Sequence, residues 1–170
     1  CMHRCISVET GIPFINGQYY AMVSPVMIDA KNPLYSVNGV FNAIFIHGNV
    51  LGDAMFYGSG AGKLPTASAV VADVVDCAKN KGRNIMMSWS EKKLDLLQID
   101  DVKSRFFVRV SGHAAERQSE IEELFGKAEI VAVPSLSEEF AFITGEITEQ
   151  EYREKAEKLD GIQSRIRARI

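Results

Sequence analysis

The sequence predicts an α+β chain of two small modules, and three observations carry that prediction. By hydrophobic spacing, the second half runs strand, helix, strand, strand, helix, strand. The first half carries strands rich in Phe and Ile, separated by a hairpin-type turn. Between the halves, a cluster of glycines leads from a strand into a long helix of small apolar residues.

Taken in order, Gln18 to Ile28 reads as a strand rich in Tyr, Val and Met, in which Pro25 implies an edge or a bulge because it has no N–H for the ladder. Asn32-Pro33 ends it with a turn. Val40 to His47 is the next strand, Gly48-Asn49 a hairpin turn and Ala54 to Tyr57 a third strand, so the expected arrangement is an antiparallel meander. Phe41, Ile44, Phe45, Ile46, Met55 and Phe56 do not alternate with polar residues, which predicts that both faces are covered. After Gly58 to Gly62 comes a helix from Leu64 to Ala78. Pro65 suits its first turn, Leu64, Ala67, Val71, Val74, Val75 and Ala78 follow helical spacing, and Lys79-Asn80-Lys81-Gly82 closes it. The first module is assigned residues 1–82, and residues 83–103 form a connector of weak periodicity in which Trp89, Leu94, Leu96 and Leu97 are available for packing.

Residues 104–170 form the second module. Ser104 to Val110 is a strand, Ala115 to Phe125 a helix with Ile121, Leu124 and Phe125 on one face, Glu129 to Val133 a strand, and Phe140 to Thr144 another. Thr148 and Glu151 form a capping box opening a helix whose Tyr152, Ala156 and Leu159 share a face, and Gly161 ends it. In the last strand Ile162, Ser164, Ile166, Ala168 and Ile170 are expected on one face, with Gln163, Arg165, Arg167 and Arg169 on the other. That order is the ferredoxin-like split βαβ, with two helices over a four-stranded antiparallel sheet.

Composition excludes several classes. With 46% hydrophobic and 24% charged residues, the chain has the balance of a packed globular protein. A formal charge of −3 gives no general electrostatic footprint for nucleic acid or an anionic membrane. Its apolar runs fall well short of the roughly 20 residues that span a bilayer. Three cysteines at unmatched spacings suggest a reducing, cytoplasmic setting, and the start at Cys1-Met2-His3-Arg4-Cys5 reads as an internal cut rather than a secretion signal. Cys1, His3 and Cys5 lack the second ligand pair of a structural zinc site, so no metal is expected.

The segment with the clearest chemical potential is Tyr57-Gly58-Ser59-Gly60-Ala61-Gly62-Lys63-Leu64-Pro65-Thr66. A glycine-rich junction into a helix lets backbone N–H groups approach an anion or a flat ring, although glycines between a strand and a helix often serve only as a tight turn. It is neither a Walker A loop, whose spacing and Ser or Thr are missing, nor a G-x-G-x-x-G fingerprint, whose third glycine would fall at Lys63. Lys63 could contact a phosphate, but its pattern slightly favours a solvated side chain. His47, His113, Asp73 and Asp76 assemble no nucleophilic or metal set.

Asn32 to Ile44, Met55 to Gly62 and Leu64 to Asp73, with the sequences NPLYSVNGVFNAI, MFYGSGAG and LPTASAVVAD, closely resemble the homoserine dehydrogenase family. The resemblance covers the end of that family's catalytic and dimerisation domain, from about Gln18 to about Asn80, and the module after it resembles the family's C-terminal ACT domain. It implies NAD(P)-dependent interconversion of aspartate semialdehyde and homoserine in threonine, methionine and isoleucine biosynthesis. It also implies that this C-terminal piece lacks the Rossmann domain and catalytic residues and is inactive without them, with no cofactor expected in the piece itself. Cofactor contacts carried over are Gly60, Ala61, Gly62 and Thr66; Ser59 departs from the arginine of many relatives. Effector contacts carried to the ACT-like turn are Gly112 and His113, although the family's acidic residue and second glycine are missing there. Self-association as a homodimer and an amino-acid effector such as threonine are the expected partners. A stand-alone amino-acid-sensing module is the alternative.

Overall fold

The computed structural model describes the backbone of residues 4–11, 14–15, 18–83 and 88–170, and side chains from Tyr19 onward except 84–87. Cys1, His3 and the side chain of Cys5 lie outside the described residues. The chain forms two compact units: Cys1–Asp29 with Leu94–Ile170, and Ala30–Lys93.

The larger unit is built on a sheet whose strands come from both ends of the sequence. Its N-terminal strands are β1 (Arg4–Gly11), the short pair β2 (Phe14–Ile15) and β3 (Gln18–Tyr19), and β4 (Met22–Ile28). The expected strand from Gln18 to Ile28 is therefore two strands. β5 and β6 belong to the smaller unit. The C-terminal strands are β7 (Lys103–Ser111), β8 (Glu129–Val131), β9 (Glu139–Ile143), the two-residue β10 (Ile147–Thr148) and β11 (Ile162–Arg169). Hydrogen-bonded order is β1-β4-β11-β7-β9-β8, with β10 also on β7. Within this sheet β11-β7-β9-β8 are mutually antiparallel, the split βαβ order.

The meander expectation is corrected here. β4 does not join the following hairpin; it pairs antiparallel with β1 and parallel with β11. Ser24, Val26 and Ile28 bury one face of β4, a burial that the hairpin pairing was not needed to supply. Pro25 falls where the β1–β4 register shifts, between the Ile6–Val26 and Glu9–Ser24 pairs, and the β11 ladder begins only after it, at Val26. Its missing N–H is thus accommodated by a bulge.

Two helices of the larger unit, α2 (Ala114–Phe125) and α3 (Glu149–Ala156), pack on one face of the sheet. Phe106, Val108 and Val110 of β7, Phe140 and Phe142 of β9, Ile121 and Phe125 of α2, Tyr152 of α3 and Leu159 after it form one core. Tilted ring contacts join Phe106 to Tyr152 at 4.6 Å and Phe125 to Phe142 at 5.1 Å between centroids. The capping box is present: Thr148 Oγ1 accepts from Glu151 N at 3.1 Å, and Thr148 N donates to Glu151 Oε2 at 2.7 Å.

The last strand departs from the uniform alternation expected for it. The β7–β11 register shifts between Ile162 and Ser164, so Ile162 packs on the core beneath the helices while Arg167, opposite Phe106, and Arg165, opposite Val108, also face that side. Both guanidiniums lie over aromatic rings and both pair with Glu149, whose side chain is only 8% exposed; the Arg167 contact is 2.6 Å. Burial, first, and then the nearby Glu149 charge push the Tyr152 phenol above its ordinary pKa, with Arg165 opposing.

The smaller unit contains β5 (Phe41–Gly48) and β6 (Gly52–Ser59), paired only with each other, and α1 (Lys63–Lys79). The expectation that both hairpin faces are covered is also corrected: Ile44 is 65% and Phe56 64% exposed, and α1 buries no residue. Trp89, Leu94 and Leu96 of the connector are exposed as well, whereas Val102 beside β7 is buried.

Replacing Glu149 by Ala strands two guanidiniums against Phe106 and Tyr152. The expected loss is about 3 kcal/mol, read as a shift of the urea unfolding midpoint. Thr148→Ala, which removes the cap, costs about 1 kcal/mol in the same assay. The bond from the Thr148 backbone holds Glu151 below its ordinary carboxylate pKa. Its contribution is therefore complete above the unfolded-state value and is lost as the pH falls through the lowered one, so Glu151→Gln flattens the acid limb of the stability profile.

Candidate functional site

The glycine junction is assembled by the β5–β6 hairpin and the start of α1. Asn42 pairs with Gly58 across the hairpin, and a Cβ added at Gly60 would stand 2.9 Å from Asn42 Nδ2, so glycine is what lets the loop pass the strand. Gly62 caps α1 with φ 112°, a conformation that side-chain-bearing residues rarely adopt, and Thr66 N closes the first turn on Gly62 O at 3.2 Å. No side chain caps this end, no acid lies in the first turn, and Lys63 opens the helix. The junction therefore presents open backbone donors, the positive end of the helix dipole and a cation, with Ala61, Gly62 and Thr66 exposed around them. This donor set fits a phosphate or a carboxamide.

A second candidate lies at the end of β7. Here the polar groups are largely engaged within the chain. Gly112 N donates to Glu138 O and Ser111 N to Gly161 O, both at 2.9 Å, while Arg117 Nη1 donates to Ser111 O at 2.9 Å and Gln163 Nε2 to Ser111 Oγ at 2.6 Å. Arg117 runs between two glycines: a Cβ at Gly112 would meet its Cδ at 3.1 Å, and one at Gly161 its Nη1 at 3.3 Å. His113 is exposed and serves as the α2 N-cap without a side-chain hydrogen bond. Arg117 was not singled out by its sequence; the glycines at 112 and 161 are the local signal for it, but they become neighbours only in the fold.

Other sequence candidates stay dispersed. His47 Nδ1 meets Asp53 Oδ1 at 2.5 Å across the hairpin, both exposed. Asp76 accepts from the Asn80 side chain at the end of α1, and Cys77 is a free, exposed thiol. Among the described residues, no group of three or more His, Cys, Asp or Glu gathers to hold a metal, and no helix is long and apolar enough to cross a membrane.

An open glycine junction on a strand–helix unit, followed in sequence by an antiparallel sheet with two helices on it, defines a mixed α+β protein. Comparison with known proteins finds similarity to one family. Residues 4–75 match the homoserine dehydrogenase family model. Among homoserine dehydrogenases, that of Lactococcus lactis subsp. lactis is 41% identical over 106 residues, which is 61% of this chain and 23% of that protein. The Corynebacterium glutamicum protein is 54% identical over 61 residues, 36% of this chain and 14% of that one. In three dimensions, the crystal structure of a homoserine dehydrogenase from Thiobacillus denitrificans superposes with a TM-score of 0.71 at 22% identity, covering 96% of this chain and 43% of that one. The S. aureus homoserine dehydrogenase at pH 6.0 gives 0.66 at 25% identity, with coverages of 96% and 42%. By sequence over part of its length and by fold the chain is similar to homoserine dehydrogenases, and it spans less than half the length of these proteins.

Gly62→Ala forces a side chain into the φ 112° conformation, and the expected cost is about 1 to 2 kcal/mol in chemical denaturation. An equal midpoint for the variant and the parent chain would show that the junction relaxes freely.

Proposed function

We propose that this chain is the C-terminal part of a homoserine dehydrogenase, the NAD(P)-dependent oxidoreductase that interconverts aspartate semialdehyde and homoserine on the route to threonine, methionine and isoleucine. The observation that carries the reading is the family match over residues 4–75 together with the uncapped glycine junction toward its C-terminal end. Gly60, Ala61, Gly62 and Thr66 would face the cofactor, the three loop residues through backbone N–H groups and Thr66, whose N–H closes the first turn on Gly62 O, through its exposed side chain. The NAD(P) supplies hydride transfer when bound. The segment 104–170 serves as an ACT-like regulatory or structural module, the enzyme works in the cytoplasm, and the chain alone does not turn over substrate.

The reading is tested by assaying aspartate-semialdehyde-dependent oxidation of NADPH and NADH. The 170-residue chain is expected to be silent, and the product of a longer reading frame that carries an upstream Rossmann domain is expected to be active. In that longer product, Gly62→Val raises KM for the nucleotide at least several-fold; an unchanged KM would remove the junction from the cofactor site.

A second reading, an amino-acid-sensing module, draws on the open N-terminus of α2, where His113 leaves the first-turn N–H groups without a side-chain cap. In that reading an effector carboxylate binds at Gly112 and His113. Threonine then raises the melting temperature and gives calorimetric heat that Gly112→Ala abolishes. Silence across the amino acids makes the module purely structural.

A further inference from the structure

Two glycines of the junction are needed for different physical reasons. Gly62 has φ 112°, so the backbone itself demands glycine there. Gly60 has no positive φ, and its backbone would accept an L side chain. What stands against one is a single neighbour. A Cβ at Gly60 would lie 2.9 Å from Asn42 Nδ2, 3.7 Å from its Cγ and 4.0 Å from its Cβ, and these three nearest atoms all belong to Asn42. Gly60 and the Asn42 side chain therefore form a matched pair, the loop lying against the carboxamide.

The register of the hairpin explains why this side chain reaches the loop. Asn42 is opposite Gly58, and side chains alternate along a strand, so Asn42 shares its face with Ile44 and Ile46 and, across the ladder, with Ala54 and Phe56. Gly58 puts nothing opposite it, and a Cβ built at Gly58 would meet nothing within 4 Å. The other positions on that face are Ile, Ala, Phe or Gly, which makes Asn42 its only polar side chain and places it at the end next to the junction. Asparagine is a poor strand former, so strand propensity does not account for it in β5.

We propose that Asn42 is a positioning residue of the junction: its carboxamide, seated against Gly60, fixes how far the glycine loop stands from β5 and so where the open N–H groups of the loop lie. The run Gly58-Ser59-Gly60-Ala61-Gly62 has three glycines in five residues and much conformational entropy to lose when a ligand orders it. A side chain that holds the loop beforehand lowers that loss and favours binding. The proposal rests on the reading of this junction as a nucleotide-cofactor site and adds to it a residue of the preceding strand, outside the loop.

The test uses the longer product that carries the Rossmann domain, with Gly62→Val as the control for the site itself. Asn42→Ala is expected to raise KM for the nucleotide on the order of three- to ten-fold, more than it lowers kcat, because the contact acts on binding. Asn42→Thr, a better strand former whose side chain ends one atom short of the amide nitrogen, is expected to raise KM likewise with a urea midpoint no lower than the parent's. Gly60→Ala is expected to raise KM when Asn42 is present and to add nothing in the Asn42→Ala background, where the space for its Cβ is free. Parent-like KM in both Asn42 variants, a KM that rises only as the midpoint falls, or Asn42 and Gly60 effects that multiply would each overturn the proposal. If Gly62→Val changes KM while the Asn42 variants do not, this proposal falls alone; if none of them does, the cofactor reading falls with it.

Discussion

Strand β11 is the element on which the larger unit depends. On one side it is antiparallel to β7, the strand whose Phe106, Val108 and Val110 floor the core; on the other it is parallel to β4, from the opposite end of the sequence. One register shift near its start changes what it presents to the helices. Beyond the shift, Arg165 and Arg167 turn toward α3, where the buried Glu149 carboxylate is tolerable because both guanidiniums pair with it while lying over the Phe106 and Tyr152 rings. Position in the sheet and charge pairing thus support one another: the helix end supplies the carboxylate, and the strand supplies the guanidiniums.

The smaller unit obeys a different constraint. Its hairpin and helix have the apolar content of interior elements, yet α1 buries none of its residues and the hairpin stands exposed on both faces. What these elements do fix internally is the glycine junction. The close passage of Gly60 by Asn42 and the positive φ of Gly62 set the first turn of α1, where Thr66 N bonds Gly62 O, Pro65 has no N–H, and no side chain caps the N–H groups of Lys63 and Leu64. This turn carries no side-chain cap, whereas a serine or aspartate at the same position would occupy first-turn donors. At the β7–α2 turn, by contrast, Ser111 and Gly112 spend their backbone groups on Arg117, Glu138 and Gly161. Two glycine-containing turns of similar appearance in sequence therefore differ in how much hydrogen-bonding capacity they leave open.

Much of the local structure was legible in the sequence. The Thr148–Glu151 box, the Ile121–Phe125 face, the strand at β7 and the Gly58–Gly62 turn into a helix all follow from spacings within a few residues, where backbone geometry alone decides which groups meet. The candidate site was legible to the same extent, as a glycine turn whose conformation only glycine adopts readily. Arg117 was not, because its two glycine neighbours are separated by most of the module and meet only when three turns converge at one end of the sheet.

By itself, then, the sequence determined the α+β class, the order of elements in residues 104–170 and the chemistry available at the glycine junction, because each depends on short-range periodicity and backbone preference. The tertiary structure decided that β4 pairs with β11 rather than with the hairpin after it, that Pro25 sits at a register shift, that Arg165 and Arg167 face inward, and that the hairpin stands open. Those outcomes depend on pairing between distant segments, where any apolar strand suits several neighbours and the choice is made by burial and by partners for charge that no local pattern encodes.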